Sequence, residues 1–256
     1  MDLFDSHIHT LPFSPDGHQH IEEVLESAKK SEYGYIITEH MDYGLEGPMK
    51  FEFDPNEYFA KYGPYRNDRF LLGVEMGLME NETARIEKTI NENPFDMVIG
   101  SIHVVDGYDI AMPEYSETFN KREAYSKYFD CMYANIRKYS GFDTLAHIEY
   151  ICRYVKYDDP EIYVSEYKEA LTSIFNFLIE NDKCLELNTR RLDKEVGFNT
   201  LREIARLYAH CGGRYVTTGS DAHYTKNIAI KFDSVKKIIK EFDLIPVYYK
   251  QRKRME

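Results

Sequence analysis

The sequence is poor in the residues that mark secreted, disulfide-linked and membrane-spanning proteins. Its 256 residues contain no Trp and only four Cys. These cysteines (Cys131, Cys152, Cys184 and Cys211) are widely spaced and form no Cys-x-x-Cys pair. No segment approaches the roughly 18 consecutive apolar residues of a membrane span. Because the sequence shows no signal peptide pattern, we expect these cysteines to be reduced thiols in a cytoplasmic protein.

Positive charge is also scarce. The chain has 32 Lys and Arg against 44 Asp and Glu, a formal net charge of -12. This balance argues against nucleic acid or an anionic membrane surface as a partner. It does not exclude a phosphorylated substrate, because bound divalent cations can reverse the local field. No Pro-, Gly- or Ser-rich linker divides the chain, so we expect one domain over residues 1–256, ample for a large core.

Seven short apolar segments alternate with helical patterns, which predicts parallel βα units. After the first strand at the amino terminus, the predicted strands cover residues 35–38, 70–74, 95–102, 143–146, 183–187 and 215–220. Asp159 followed by Pro160 predicts the start of one helix. Asn199 is a candidate N-cap for the next helix, and Gly212-Gly213 would end it.

Potential metal ligands follow almost every predicted strand. His7 and His9 lie one residue apart, so an extended backbone directs both imidazoles to the same face. The others, in chain order, are Glu39, His40, Glu75, His103, His147, Asp221 and His223, with Arg190 after the sixth strand. A closed barrel brings all strand ends to one mouth, whereas an open sheet gathers fewer at its switch point. The pattern therefore favours a barrel.

A single His after a strand is more often a hydrogen-bonded residue than a ligand, so the recurrence is what indicates a metal site. Glu39 could instead orient His40 or a neighbouring ligand. The set is too large for one zinc ion, which takes four or five ligands. It suits two or three ions, with Glu75 bridging a pair. Ions about 3.5–4 Å apart share a hydroxide and stabilise both the attacking and the leaving oxygen of a phosphoryl displacement.

Together these motifs resemble the polymerase and histidinol phosphatase (PHP) superfamily, and within it the histidinol-phosphate phosphatases. The resemblance extends over nearly the whole chain. It rests on His-x-His, Glu-His, Gly-x-Glu, Ser-x-His and Asp-x-His after successive strands, and on residues 13–17, 147–154 and 186–190. It implies an α/β fold, a distorted (β/α)7 TIM-like barrel that holds up to three divalent ions at the carboxyl ends of its strands. Zn, Mn and Fe all suit such ligands.

The resemblance also implies a ligand set for each ion. The first ion would take His7, His9, Glu75 and Asp221, and the second would share Glu75 and add His103 and His147. The third would take His40, His223 and one side chain from the first loop. Many relatives have His in the loop slot that Asp16 occupies here; a carboxylate also suits the site. His18 remains the alternative ligand.

Arg153 and Arg190 match positions that the resemblance implies bind the substrate phosphate, for which a guanidinium offers a planar fork of donors. Arg153 could instead be a surface charge, and we expect Arg191 to be solvated or paired outside the pocket. The implied activity is hydrolysis of L-histidinol phosphate to L-histidinol and phosphate, a step of histidine biosynthesis, by a metal-bridging hydroxide. Glu75, Asp221 and His223 are the candidate catalytic residues, with His223 or a metal-bound water protonating the leaving oxygen.

Three other functions stay open from the sequence. An amidohydrolase also has a leading His-x-His and a last-strand aspartate in a barrel, but its attack on carbon needs no phosphate clamp. A PHP-type phosphoesterase could act on another small phosphorylated metabolite or a nucleotide. A non-catalytic metal-binding module would have lost ligands. Glu75, the pair His40 and His223, and the two arginines favour chemistry at phosphorus.

Overall fold

A computed structural model describes residues 3–45, 47 and 49–256 of the chain. The strands of this part are β1 (Phe4–Ile8), β2 (Gly34–Met41), β3 (Phe70–Gly77), β4 (Val98–Ser101), β5 (Val104–Val105), β6 (Tyr108–Asp109), β7 (Thr144–Leu145), β8 (Cys184–Asn188), β9 (Tyr215–Gly219), β10 (Ile245–Pro246), β11 (Tyr248–Lys250) and β12 (Lys253–Met255). Within it, eight strands form one sheet in the order β1-β2-β3-β4-β7-β8-β9-β10, and neighbouring strands pair in parallel.

Helices cover the outer face of this sheet, as parallel βα units require. They are α1 (Ile21–Lys30), α2 (Pro55–Tyr62), α3 (Thr83–Glu92), α4 (Pro113–Thr118), α5 (Lys121–Lys138), α6 (Lys168–Glu180), α7 (Glu195–His210) and α8 (Phe232–Glu241). Each long helix turns an apolar stripe inward; in α5 that stripe includes Tyr125, Phe129 and Met132. None of the helices in the described ranges is both long and apolar enough to cross a membrane.

The sheet closes on itself near the carboxyl end of β1. The N–H of His9 donates to the carbonyl of Ala222 at 3.0 Å, and the N–H of Ala222 donates to the carbonyl of His7 at 3.2 Å. Below them, the Thr218 hydroxyl donates to the carbonyl of Phe4 at 2.6 Å. The expected distorted barrel is therefore confirmed, with β10 added beside β9. Because the strands are parallel, their carboxyl ends open at one mouth.

Two helix starts differ from the sequence prediction. The Asp159 carboxylate accepts the N–H of Glu161 at 3.1 Å, which makes a local turn rather than a helix cap. Helix α6 begins at Lys168, after Tyr167 has packed its ring against Tyr125 and Phe129. Asn199 lies inside α7, which begins four residues earlier, so it does not cap that helix.

A hairpin of β11 and β12 covers the amino-terminal end of the barrel, opposite the mouth. Tyr248 stacks on Phe4 with ring centroids 3.8 Å apart. From the hairpin turn, the Arg252 guanidinium donates to both oxygens of the buried Asp143 at 2.7 and 3.0 Å and to the carbonyl of Gly141. The hairpin is thus fixed to the barrel by apolar packing and by an ion pair between a buried carboxylate and a partly exposed guanidinium.

Replacing Arg252 with Ala is expected to lower the free energy of unfolding by about 3 kcal/mol, because the Asp143 carboxylate would stay buried without its partner. For a chain of this size, that loss corresponds to a fall in melting temperature of roughly 6–12 °C. Thermal unfolding followed by circular dichroism measures it. Lys250→Ala is the matched control, since Lys250 pairs with the exposed Asp68 on the same hairpin and should change the midpoint little. Equal midpoints in the two variants would contradict the role of Arg252.

Candidate metal centre

The mouth of the barrel gathers the side chains that the sequence placed after its strands. In the parallel pairing of β2 and β3, His40 lies directly beside Glu75, so both enter the mouth at the same height. His7 is the last but one residue of β1, and His9 follows the strand on the same face as His7. His103 and His147 come two residues after the ends of β4 and β7, respectively. Asp221 and His223 come two and four residues after the end of β9. All of these side chains are buried.

The Glu75 carboxylate lies at the centre of this cluster. Its Oε2 is 3.2 Å from His7 Nε2 and 2.8 Å from His40 Nδ1. Its Oε1 is 3.2 Å from His103 Nε2 and 2.9 Å from His147 Nε2. Each oxygen therefore lies within 3.2 Å of two imidazoles, and Oε2 is also 3.5 Å from a third, at His9 Nε2. This is the arrangement that a bridging ligand between two cations needs.

Asp221 and Asp16 complete the cluster at its two flanks. Asp221 Oδ1 is 3.3 Å from His9 Nε2 and 3.9 Å from His7 Nε2. Asp16 Oδ2 is 2.8 Å from His223 Nε2 and 3.5 Å from the Nε2 of His40. The structure thus brings Asp16 to the place expected for the third ion.

His18, the alternative to Asp16, is directed elsewhere. Its imidazole is exposed and stacks on Tyr224 with ring centroids 4.3 Å apart. In the described part of the chain, five overlapping groups of three residues at the mouth have ligand atoms within 4.8 Å of one another inside each group, and neither His18 nor Asp16 belongs to one of them. Asp16 is distinguished from His18 by its contact with His223.

The polar atoms that face one another at the mouth fit divalent cations. Among the described residues, six buried atoms of candidate ligands lie close to opposite charges but make no hydrogen bond of acceptable geometry: Nε2 of His7, His9 and His103, Nδ1 of His40, Oε2 of Glu75 and Oδ1 of Asp16. A buried polar atom without a partner is costly unless something binds it. Imidazole nitrogens and carboxylate oxygens are the donors that zinc and similar ions take. The donor set therefore fits a cluster of such ions.

The pKa values reflect this close packing of opposite charges. Burial works to raise the pKa of Glu75, yet the surrounding imidazoles hold it well below its usual range. Burial works to lower the pKa of His103, but carboxylates raise it to about 10. Burial lowers the pKa of His9 and His147, which leaves them neutral and able to donate a lone pair. Cations bound here would replace protons, so their affinity should rise with pH.

Several imidazoles place their second ring nitrogen, Nδ1, within hydrogen-bond distance of a carboxylate or hydroxyl outside the cluster. The sequence did not predict most of these contacts. Nδ1 of His103 lies 2.7 Å from the buried Asp42, and Nδ1 of His7 lies 2.7 Å from Glu186. Glu39 accepts from Ser14 Oγ at 2.6 Å, and Ser14 Oγ lies 3.2 Å from Nδ1 of His9. Glu39 therefore supports a ligand, the alternative that the sequence left open for it. The position of Asp42, two residues after His40, was the available signal for the first pair.

Arg153 and Arg190 reach the cluster from the side of β8 and β9. The Arg153 guanidinium is buried; it pairs with Asp221 and donates to Asn188 Oδ1 at 2.9 Å. Arg190 donates to the carbonyl of Asp221 and lies 3.1 Å from Nδ1 of His223. Arg153 is therefore not a surface charge. Arg191 pairs with Glu161, away from the mouth, as expected.

A cavity of about 220 Å³ opens above the cluster. Its floor is formed by candidate ligands. Its walls carry two further carboxylates, those of Asp42 and Asp109, and several apolar or aromatic side chains: Leu45, Met49, Phe51, Met112, Tyr150 and Tyr154. A larger groove of about 750 Å³ lies between residues 161–165 and α7, and its walls include neither Arg153 nor Arg190. The walls of the smaller cavity do not include these arginines either, but Arg153 and Arg190 contact two of its lining residues, Asp221 and His223.

Comparisons with known proteins agree with this geometry. The PHP domain family model matches residues 5–190. A probable histidinol-phosphatase of Clostridium acetobutylicum is 39% identical over 251 residues, covering 98% of both chains. A histidinol-phosphatase of Lactococcus lactis is 26% identical over 94% of this chain and 91% of its own length. The crystal structure of a histidinol phosphate phosphatase from Lactococcus lactis, complexed with zinc, L-histidinol and phosphate, matches with a TM-score of 0.94 and 25% identity, covering 100% of this chain and 99% of that one.

Proposed function

The chain belongs to the PHP domain family, and on that premise we propose that it hydrolyses L-histidinol phosphate to L-histidinol and phosphate. The observation that carries this proposal is the position of Arg153 and Arg190 beside a cluster of imidazoles and carboxylates. Such a cluster binds cations, whereas the guanidinium groups bind a planar or tetrahedral oxyanion. A site that hydrolyses a phosphomonoester needs both the cations and the guanidinium groups.

We assign two or three divalent ions to the cluster, with zinc as the first candidate because the Lactococcus lactis protein was crystallised with it. The expected ligand sets are His7, His9, Glu75 and Asp221; then Glu75, His103 and His147; then Asp16, His40 and His223. When bound, such ions neutralise phosphate charge and make water a stronger nucleophile at neutral pH.

The residues of the chain have three tasks in this reaction. Arg153 and Arg190 hold the phosphate oxygens and restrict the direction in which phosphorus is presented to the cluster. Glu75 and Asp221 supply negative charge that balances the cations. Nδ1 of His223 lies 3.0 Å from the carbonyl of Asp221, to which it can donate, and Nε2 then keeps its lone pair beside Asp16. We therefore assign His223 to cation binding, and the leaving oxygen takes its proton from solvent at the mouth.

Asp109 is our candidate for recognition of the substrate ammonium group. It lies on β6, lines the cavity and is half-buried, and burial raises its pKa. Its Oδ1 accepts the N–H of Ala111 at 2.8 Å, which fixes the carboxylate toward the cavity edge. The other carboxylates that line the cavity, Asp16, Asp42 and Asp221, already face imidazoles. Asp109 therefore remains available for a substrate cation.

Asp109→Asn is expected to raise KM for histidinol phosphate about tenfold, because a hydrogen bond to a charged group contributes roughly 1.5–3 kcal/mol. Hydrolysis of p-nitrophenyl phosphate, which has no ammonium group, should change less than about twofold, within ordinary variant effects. Glu114→Gln is the control, since it removes an exposed carboxylate near Asp109 without touching the cavity. Equal losses on both substrates would remove Asp109 from recognition.

The activity itself is tested by steady-state kinetics on histidinol phosphate beside generic phosphomonoesters, amides and lactones, with bound metal measured on the same sample. We expect turnover of histidinol phosphate that a chelator abolishes and added metal restores. Turnover of amides or lactones in preference to phosphate esters would instead indicate an amidohydrolase. Full turnover in a sample without bound metal would overturn the proposal.

A further inference from the structure

Strand β8 places two polar side chains, Glu186 and Asn188, inside the barrel between His7 and Arg153. They lie two residues apart, so they share the inner face of the strand. Both are fully buried. Neither was a candidate ligand or a phosphate-binding residue, and their burial needs a reason because each would otherwise be desolvated at a cost.

Glu186 accepts three hydrogen bonds with its two oxygens. Oε1 accepts from His7 Nδ1 at 2.7 Å. Oε2 accepts from the backbone N–H of His147 at 2.7 Å and from Asn188 Nδ2 at 3.0 Å. Gly219 on the neighbouring strand leaves the space for this contact, since a Cβ there would overlap both Glu186 Oε1 and His7 Cβ.

The contact with Glu186 fixes the tautomer of His7. A carboxylate only accepts hydrogen bonds, so Nδ1 of His7 must carry a proton, and in the neutral ring that binds a cation Nε2 keeps the lone pair. Nε2 is the nitrogen that faces Glu75 and Asp221. Glu186 thereby makes the cluster-facing nitrogen the one that can bind a cation.

Asn188 performs the corresponding task for Arg153. Because its amide nitrogen donates to Glu186, its oxygen must face the other way. That oxygen accepts from Arg153 Nη2 at 2.9 Å and from the backbone N–H of Arg190 at 3.1 Å. One side chain thus holds the guanidinium of the first arginine and the backbone of the second.

We propose that β8 carries two positioning residues with separate tasks: Glu186 sets the His7 tautomer for cation binding, and Asn188 orients Arg153 for phosphate binding. This inference rests on the proposed function, because it assumes that the mouth binds a cation and a phosphate. It adds that cation binding and phosphate binding can be weakened separately, although Glu186 and Asn188 are joined by a hydrogen bond.

Glu186→Gln tests the first task with almost no change of shape. The Gln oxygen can keep the bonds from His147 and Asn188, but its NH₂ group then faces His7 Nδ1 and requires that nitrogen to accept. The proton moves to Nε2, which can no longer bind a cation. The dissociation constant for Zn²⁺, measured on metal-free protein by chelator competition, is expected to rise roughly 10- to 100-fold. At saturating Zn²⁺, competitive inhibition by inorganic phosphate should change less than about threefold.

Asn188→Ala tests the second task and should give the opposite pattern. Arg153 Nη2 would lose its acceptor, and the inhibition constant for inorganic phosphate is expected to rise about tenfold, as for one hydrogen bond to a charged group. The Zn²⁺ dissociation constant should stay within about threefold of wild type, because His7 keeps its contact with Glu186. Circular dichroism of both variants verifies that they are folded.

Glu149→Gln is the matched control for removing a buried carboxylate. Glu149 is buried on the segment after His147, and its Oε2 has no hydrogen-bond partner among the described residues. Both constants should stay within about threefold of wild type in this variant. Wild-type Zn²⁺ affinity in Glu186→Gln, or equal changes of both constants in both β8 variants, would overturn the division of tasks alone. A wild-type protein that binds no Zn²⁺ would overturn the proposed function together with it.

Discussion

Replacing Glu75 with Gln is expected to lower kcat/KM for histidinol phosphate on the order of 10³-fold, since several kcal/mol of charge stabilisation depend on the cations it holds. Its two oxygens face four imidazoles, and each lies within 3.2 Å of two of them. An amide has one oxygen, so Gln can serve one side of the cluster only. Its NH₂ group would face imidazole nitrogens whose lone pairs are needed to bind a cation.

Metal content and activity should fall together in this variant. We expect the number of Zn²⁺ ions retained after dialysis to drop by at least one relative to wild type, because a shared ligand serves two positions. Excess Zn²⁺ should restore only part of the activity. Glu149→Gln again provides the control for loss of a buried glutamate. Wild-type metal content together with wild-type kcat/KM in Glu75→Gln would show that Glu75 does not bridge cations.

The gathering of the strand-end side chains at the mouth could be predicted from the sequence because their placement depends on local rules. In a parallel barrel, residues at or just after the carboxyl end of a strand face the mouth, whatever the detailed packing. His103 and His147 each follow their strand by two residues, and Glu75 lies within β3. These positions follow once the strands are recognised. The pairing of β2 with β3, which sets His40 beside Glu75, follows from the order of the parallel units.

The supporting contacts could not be predicted, because their partners are far apart in the sequence. Glu186 lies 179 positions from His7, and Asp42 lies 61 positions from His103. Glu186 is in the middle of β8 and carries no local signal for such a role, whereas Asp42 had only its position after His40 as a signal. The role that we propose for Asp109 depends on the short β5–β6 hairpin, which brings its carboxylate to the cavity. At Asp159 a local helix signal was present but misleading, since a turn satisfied the same hydrogen-bonding groups.

Arg153 is the second residue whose replacement should have a large effect. Arg153→Lys keeps the positive charge beside Asp221 but removes the fork of donors that contacts Asp221 and Asn188 together. The Lys ammonium is a point charge and cannot hold two phosphate oxygens in one plane. Two charge-assisted hydrogen bonds contribute about 3 kcal/mol. We therefore expect kcat/KM for histidinol phosphate to fall on the order of 10²-fold.

The choice of Lys separates phosphate binding from metal binding. Because the charge beside Asp221 is retained, the bound Zn²⁺ of Arg153→Lys should match wild type, unlike that of Glu75→Gln. Inhibition by inorganic phosphate should weaken in parallel with kcat/KM. Arg191→Lys is the matched control, since that guanidinium pairs with Glu161 outside the cavity and should leave both constants unchanged. An unchanged inhibition constant in Arg153→Lys would mean that Arg153 serves Asp221 only, and that Arg190 alone binds the phosphate.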